Sequence, residues 1–485
     1  MSKKKKSRDG YWALNYFKDG TARTKVLSFS IVYISISAIF WWAYPQPLFT
    51  GDTGSYILSA MTGQINGVRP IGYSWFLKWL HAIFPSIGFV IFMQYSLLAF
   101  ALLFFYLTVD YLFKIQYPVS VGLAILLAFC PAQLYLATSF MSDAAFIIYT
   151  LFWLASLFWM IRRPGYPVFI VHLVLLFLAI NTRYIGLFYP LITISVLVYS
   201  YRKKAWVPAL VVIGMVFGIY RYTASQMKKY YGLYTFTEFS GWATANNASI
   251  MVPHIDLRLE HFTEKPLEFI NRVMAAFPDS MYNPRSVLET QFIWNKRYPG
   301  KQILYRILKS NSRLSYTNAW VLVGKWYGKY GRTLILEHPV DFIHYFVLLN
   351  TKQVFYPEIG LGIFSHDSQM DRAALAYYGV DSSKFRARYD IFGKLINGIT
   401  SPLNLLLWIS FFALAGIWVW TKSWKNLATD NRNILFITII FMAMYLGGSI
   451  LTHPVHYRYL LPIHPLILML CAVFLNDSLR LKGSA

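Results

Sequence analysis

Residues 26–44 read VLSFSIVYISISAIFWWAY, an uncharged apolar run. The chain leaving it carries Gly51-Asp52-Thr53-Gly54-Ser55-Tyr56 and then Val68-Arg69-Pro70-Ile71-Gly72-Tyr73-Ser74-Trp75. About 20 helical residues cross a hydrocarbon core of about 30 Å, so the run predicts a spanning helix, with a lone carboxylate and an arginine just beyond it. Nine more runs of this kind follow, near 86–109, 118–138, 143–161, 166–181, 185–200, 205–222, 402–421, 433–451 and 460–476. The fifth and sixth of the ten form a tight hairpin.

The whole composition agrees. With 56% hydrophobic and only 14% charged residues, the 485-residue chain carries more apolar surface than a soluble core of that size buries. The abundant Trp, Tyr and Phe suit aromatic belts at headgroup level. Cys130 and Cys471 both fall in apolar runs, so they predict no disulfide framework. The net charge of +24 is accounted for by basic loops on one side of a membrane and by attraction to lipid or phosphate, which excludes nucleic acid as a partner.

Basic residues set the orientation. If the tail 1–25, with its run Lys3 to Lys6, lies in the cytosol, then Lys114, Arg162-Arg163, Arg202-Lys203-Lys204, Lys422, Lys425, Arg432, Arg480 and Lys482 all fall on that same side. The tail has no small-residue cleavage site and reads as a retained cytosolic segment. The fold class expected is an all-α polytopic membrane protein with about ten transmembrane helices, interfacial helices in the first outer loop and a mostly helical outer soluble domain. Its parts are the tail 1–25, a transmembrane module 26–222 with outer loop 45–85, an outer domain 223–401 and a C-terminal module 402–485. A bacterial inner membrane is expected, with both termini cytosolic and the site on the periplasmic face.

In the first outer loop a short helix should follow Asp52, with Asp52 or Thr53 as its N-cap. A second should begin at Pro70, with Trp75, Trp79 and Ile83 on one face and Ser74, Lys78 and His81 on another, lying in the interface plane. The outer domain has helix-like stretches near 264–276 and 302–335. Residues 339–356 are apolar, but Asp341, His344 and Lys352 argue for an interfacial segment rather than a span.

Asp52, Arg69, Asp143, Arg183, Arg221, His453, His456 and Arg458 all lie near the outer face, drawn from several connections and span ends. Asp52 reads equally as a helix cap or as a general base that takes a proton from an attacking hydroxyl. Ser142-Asp143 opens a span, where a cap is the simpler reading and a second site carboxylate the alternative. Arg183 in Asn181-Thr182-Arg183-Tyr184 suits phosphate recognition by a planar fork of donors, or headgroup anchoring. For Arg221 between Tyr220 and Tyr222, anchoring is preferred. The loop Thr452-His453-Pro454-Val455-His456-Tyr457-Arg458-Tyr459 offers a histidine and an arginine to an anionic leaving group. A metal pair at the two histidines is disfavoured by Pro454 and by the absence of a nearby acidic ligand, and no cofactor is expected.

Four stretches resemble the GT-C superfamily of polytopic glycosyltransferases, in particular bacterial relatives of the polyprenyl-phosphate-mannose protein mannosyltransferases. They are Gly51 to Tyr56 with Arg69-Pro70-Ile71-Gly72-Tyr73, Ser142-Asp143, Asn181-Thr182-Arg183-Tyr184-Ile185-Gly186-Leu187, and Tyr457-Arg458-Tyr459 with Pro462. Asp52-Thr53 stands where many relatives carry Asp-Glu, and Ser142-Asp143 where a Glu is common. The resemblance implies a catalytic aspartate at Asp52, a lipid-phosphate-linked sugar as donor, and transfer with inversion to a glycan, lipid or protein. On that reading Asp143 supports the base, Arg183 and Arg458 bind the donor phosphate, and Arg69 and His456 stand behind them. The rival readings are a transporter or flippase of lipid-linked glycan and a non-catalytic scaffold.

Overall fold

The computed structural model describes residues 16–18, 20–45, 47–257, 262, 264–275, 290–311, 313–358, 376–379 and 391–482. The lysine run of the tail lies outside them. Among the described residues the chain is all helical, and one isolated bridge joins Leu48 to Ser139.

The helices are α1 Gly20–Ala43, α2 Thr53–Thr62, α3 Gly72–Ile83, α4 Ile87–Phe113, α5 Tyr117–Ala128, α6 Pro131–Ala137, α7 Ser142–Arg162, α8 Tyr166–Thr182, α9 Tyr189–Tyr201 and α10 Trp206–Tyr231. Then come α11 Phe239–Ser249, α12 Lys265–Met274, α13 Pro299–Ser310, α14 Tyr316–Glu337 and α15, which is 339–355. The last four are α16 Ile391–Trp420, α17 Thr429–Thr452, α18 Tyr457–Leu460 and α19 His464–Lys482.

Eight helical segments are long and apolar enough to cross a membrane: α1, α4, α5 with α6, α7, Tyr184–Lys204, α10, Gly393–Trp420 and α17. The expected fifth span is α8, an apolar helix of 17 residues and therefore about 25 Å long. The expected tenth is α19, which starts only at His464, after a turn over 461–463. Neither is among the eight.

Two expected spans differ in shape. The third is broken at Phe129-Cys130, because Pro131 cannot donate to the helix and pushes the residue before it out of the helical basin; Cys130 sits at φ −122, ψ 57. The seventh runs on past 222 to Tyr231, where Gly232 at φ +76 closes it.

Contacts at one end of the bundle bring the basic connections together. Lys25 of α1 pairs with Asp110 of α4 at 2.9 Å, and both are buried. Arg162 of α7 pairs with Asp430 of α17 at 3.2 Å. Asn431 donates to the Leu112 carbonyl, and the Asn476 carbonyl oxygen accepts from the Gln116 amide. Asp52, Asp143, Arg183 and the loop 453–458 lie at the opposite ends of the same helices.

At that opposite end the loop 45–85 is folded against the bundle. Helix α3 begins at Gly72, two residues after Pro70, and buries Tyr73, Ser74, Phe76, Leu77 and Leu80. Ser74 is therefore a packing residue and does not share a polar outer face with Lys78, whereas Trp79 and Ile83 are exposed as expected for a face turned to lipid. The Tyr73 hydroxyl donates to Gln94 in α4, and Gln94 donates in turn to the carbonyls of Ala137 and Ser139.

Gly72 has a steric reason. A Cβ there would lie 2.5 Å from the Asn181 carbonyl oxygen, so α3 crosses the end of α8 at backbone contact. Gly72→Ala should lower stability by about 1–3 kcal/mol, the usual cost of overpacking. Thermal unfolding in detergent measures it, and an unchanged midpoint would mean that the crossing opens freely.

Residues 223–401 contain a second close crossing. A Cβ on Gly241 of α11 would run into the Gly324 carbonyl of α14, and beside this crossing Trp242 stacks on Trp320 with centroids 4.8 Å apart. The expected stretch 302–335 is two helices, α13 and α14, because the Ser315 hydroxyl caps a new start by accepting from the Asn318 amide. Residues 339–355 form a continuous helix with a π turn over Ile343–Val347. Its far end is held by α16, where Asn404 and Trp408 donate to the Val354 carbonyl and Ser401 to that of Pro357.

Candidate functional site

Asp52 occupies the N-cap position of α2, yet its side chain makes no capping hydrogen bond. It pairs instead with Arg69, whose second nitrogen donates to the Ser55 hydroxyl at 2.7 Å. Among the described residues the Asp52 Oδ2 atom has no hydrogen-bond partner. The cap reading fails for Ser142-Asp143 as well. Met141 is the N-cap of α7, without a side-chain bond; the Ser142 hydroxyl meets that of Tyr56 at 2.9 Å, and Asp143 pairs with Arg183.

The two ion pairs differ in access. The Asp143 side chain is 3% exposed and the Asp52 side chain 29%. Asp143 is thus placed to hold Arg183, and Asp52 is the carboxylate that an incoming molecule can reach. Tyr56 stands between the pairs, with the Arg69 guanidinium 5.6 Å above its ring and its hydroxyl on Ser142.

Arg458 completes the group. Its guanidinium lies 5.0 Å from the Tyr459 ring centroid, that of Arg183 lies 4.9 Å from the same centroid, and Arg458 donates to the Tyr459 hydroxyl at 3.1 Å. The charges of Asp143 and Asp52 both reach Arg458, yet among the described residues no carboxylate lies within 4 Å of it, and its Nε is buried without a partner. Such a cation strongly favours an anion beside it.

His453 and His456 pack around the same tyrosine, at 4.4 and 5.6 Å between centroids. Burial, then the Arg183 and Arg458 charges, push His453 down to about 3. Burial, Arg458, His453 and Arg183 hold His456 well below its ordinary value. Both rings are therefore neutral at pH 7, so His456 offers a polar contact to an anion but no charge. The segment between α12 and α13 reaches it here, through a contact between Gln291 and the His456 ring.

Six expected site residues, Asp52, Arg69, Asp143, Arg183, His456 and Arg458, thus come together. Arg221 does not: it is exposed on α10, over the Tyr234 ring at 5.8 Å, as an anchoring arginine would be. Among the described residues no group of three or more His, Cys, Asp or Glu gathers as a metal site.

Sequence reasoning missed the residues that hold the site in place. Asn350 of α15, 1% exposed, donates to the carbonyls of Ile450 and His453 and accepts from the Val455 amide. It thereby satisfies backbone groups where α17 ends and the loop bearing His456 and Arg458 begins. Gln94 does the same for the turn before Ser142. The available signal was an amide within an apolar stretch, Gln94 alone in its run and Asn350 beside Gln353 in 339–356, since buried polar groups there need partners. Asn350→Ala should cost about 1–3 kcal/mol by orphaning those groups, and hydrogen exchange over 450–459 should speed up. Unchanged exchange would remove Asn350 from this role.

No protein-family model matches the chain, and no curated protein matches it.

Proposed function

We propose that the chain is an inverting glycosyltransferase that moves a sugar from a polyprenyl-phosphate-linked donor to a glycan, lipid or protein acceptor at the outer face of a bacterial inner membrane. The carrying observation is the third arginine: two Asp–Arg pairs neutralise one another, and Arg458 beside them leaves one positive charge in excess. A lipid-linked sugar phosphodiester brings one negative charge to such a place.

The chemistry follows from the same count. The acceptor hydroxyl loses its proton to Asp52, its oxygen bonds to the anomeric carbon, and the bond from that carbon to the phosphate oxygen breaks. Asp52 becomes neutral as the departing phosphate gains charge toward about −2. The excess positive charge of the site rises with it, so donors set before the reaction match the charge that develops. Arg69 and Ser55 orient Asp52, Asp143 holds Arg183 toward the phosphate, and the apolar helices carry the lipid chain. The acceptor arrives from the outer-domain side, where Gln291 meets His456.

Mass spectrometry of surface polysaccharide, lipid and secreted protein from cells carrying the wild type or Asp52→Asn tests this. One of the three should lose a sugar in the variant. If all keep their sugars, and the purified protein moves labelled lipid-linked glycan across liposomes without forming a glycosidic bond, the transport reading replaces this one.

A further inference from the structure

The outer domain has a charge distribution that the transfer chemistry does not use. From Thr290 to Leu336 the sequence holds nine lysines and arginines and no acidic residue. Three of them, Lys325, Lys329 and Arg332, lie on α14, where Lys329 pairs with Glu264. The cations of residues 296–313 form a separate group around α13.

Helix α13 is strongly two-faced. Gly300, Ile303 and Leu304 are buried, while Gln302, Tyr305, Arg306 and Lys309 are exposed on the opposite arc, with Lys296 and Arg297 just before it. Among the described residues none of these cations is paired with a carboxylate. Aromatic rings stand among them: Trp294 is 48% exposed, Tyr305 38% and Tyr316 45%. Lys301 ties two of these together, with its ammonium on the Tyr316 hydroxyl at 3.0 Å, 5.8 Å from that ring and 6.0 Å from the Trp294 ring.

The surface is continuous with the candidate site. Gln291 touches His456, and Trp294 lies three residues further on, within about 10 Å of chain. That short connection is fixed. Asn246 donates to the Thr290 carbonyl and accepts from the Ile293 amide, so Gln291 and Trp294 are held at the two ends of one clamped segment.

We propose that this face, centred on the exposed Trp294 and Tyr316 with the buried Lys301 between them, binds an anionic glycan, a carbohydrate bearing carboxylate or phosphate groups, and leads its end toward His456 and Asp52. Exposed flat rings provide apolar faces against which sugar rings stack, and the unpaired cations draw acidic substituents. Aromatic rings interspersed with cations favour a sugar polymer over a bare lipid headgroup surface, for which the cations alone would serve. The assignment of this ligand as the acceptor rests on the transferase reading above; the binding itself does not.

The test uses the full-length protein in phosphatidylcholine nanodiscs, with polygalacturonate oligomers as probe and neutral dextran as control. Saturable, salt-sensitive binding of polygalacturonate is expected. It should weaken at least tenfold in a Lys296→Glu, Arg297→Glu, Arg306→Glu triple variant and several-fold in Trp294→Ala, with near-UV circular dichroism unchanged in both. Equal binding of dextran, or binding indifferent to these substitutions, overturns the proposal. So does a triple variant that keeps polygalacturonate but no longer associates with phosphatidylglycerol vesicles, since the face would then be a membrane contact. Binding is read without turnover, so an inactive Asp52→Asn protein that still binds polygalacturonate like the wild type separates this proposal from the catalytic one.

Discussion

Asp52→Asn should reduce sugar transfer by about 10²- to 10⁴-fold, the usual contribution of a general base, while leaving the folded protein near wild-type stability. The second half follows from geometry. The Asp52 side chain caps no helix, so α2 loses no backbone hydrogen bond when the charge is removed. Asparagine keeps an oxygen for Arg69 to donate to, and Arg69 retains the Ser55 hydroxyl and the Tyr56 ring. What is lost is the basicity and the charge opposite Arg69, in a pair that water reaches. Asp143→Asn should behave differently, because its side chain is 3% exposed and compensates Arg183. Breaking a buried pair by removing one partner costs about 3–5 kcal/mol, so that variant should lose stability and activity together. Kinetics and thermal unfolding of both purified variants decide the assignment: Asp52→Asn retaining more than a few per cent of activity would place the base elsewhere.

The contrast between these aspartates marks where sequence reasoning stopped. Both stand at the start of a helix after a span, and statistics for such positions favour a cap. The side chains turn away from the helix amides because an arginine from another connection meets each one, Arg69 from 17 residues on and Arg183 from 40 residues on. Long-range charge pairing of this kind leaves no periodicity to read. Membrane periodicity by contrast was legible, since apolar length alone places a spanning helix, and eight such segments stand where apolar runs lie. What length could not reveal was shape. Pro131 breaks one span, and Pro402 sits inside α16 without ending it, so the same residue type gave two outcomes. Asn350 was equally hidden, because 339–356 was read for its charges, whereas its structural work is done by a neutral amide against a loop 100 residues away.

Arg458→Gln should slow transfer by about 10²- to 10³-fold, corresponding to about 2.7–4 kcal/mol for one preorganised donor lost from a charge that grows in the transition state. Arg458 is singled out over Arg183 by its surroundings. Arg183 is compensated by Asp143, whereas Arg458 has no carboxylate within 4 Å among the described residues and a buried Nε with no partner. Burial opposes the Arg458 charge and the more distant Asp143 and Asp52 offset it, so the empty protein gains little from this cation and an anionic donor gains more on binding. Glutamine should therefore leave thermal stability unchanged or raise it, the trade expected where function keeps a destabilising group. Arg458→Lys should recover part of the rate, since it restores charge without the planar fork that meets two phosphate oxygens. The two readouts separate catalysis from folding. If Arg458→Gln lowers the unfolding midpoint and loses activity only in proportion to the folded fraction, Arg458 is a structural residue and the phosphate must be held by Arg183 alone.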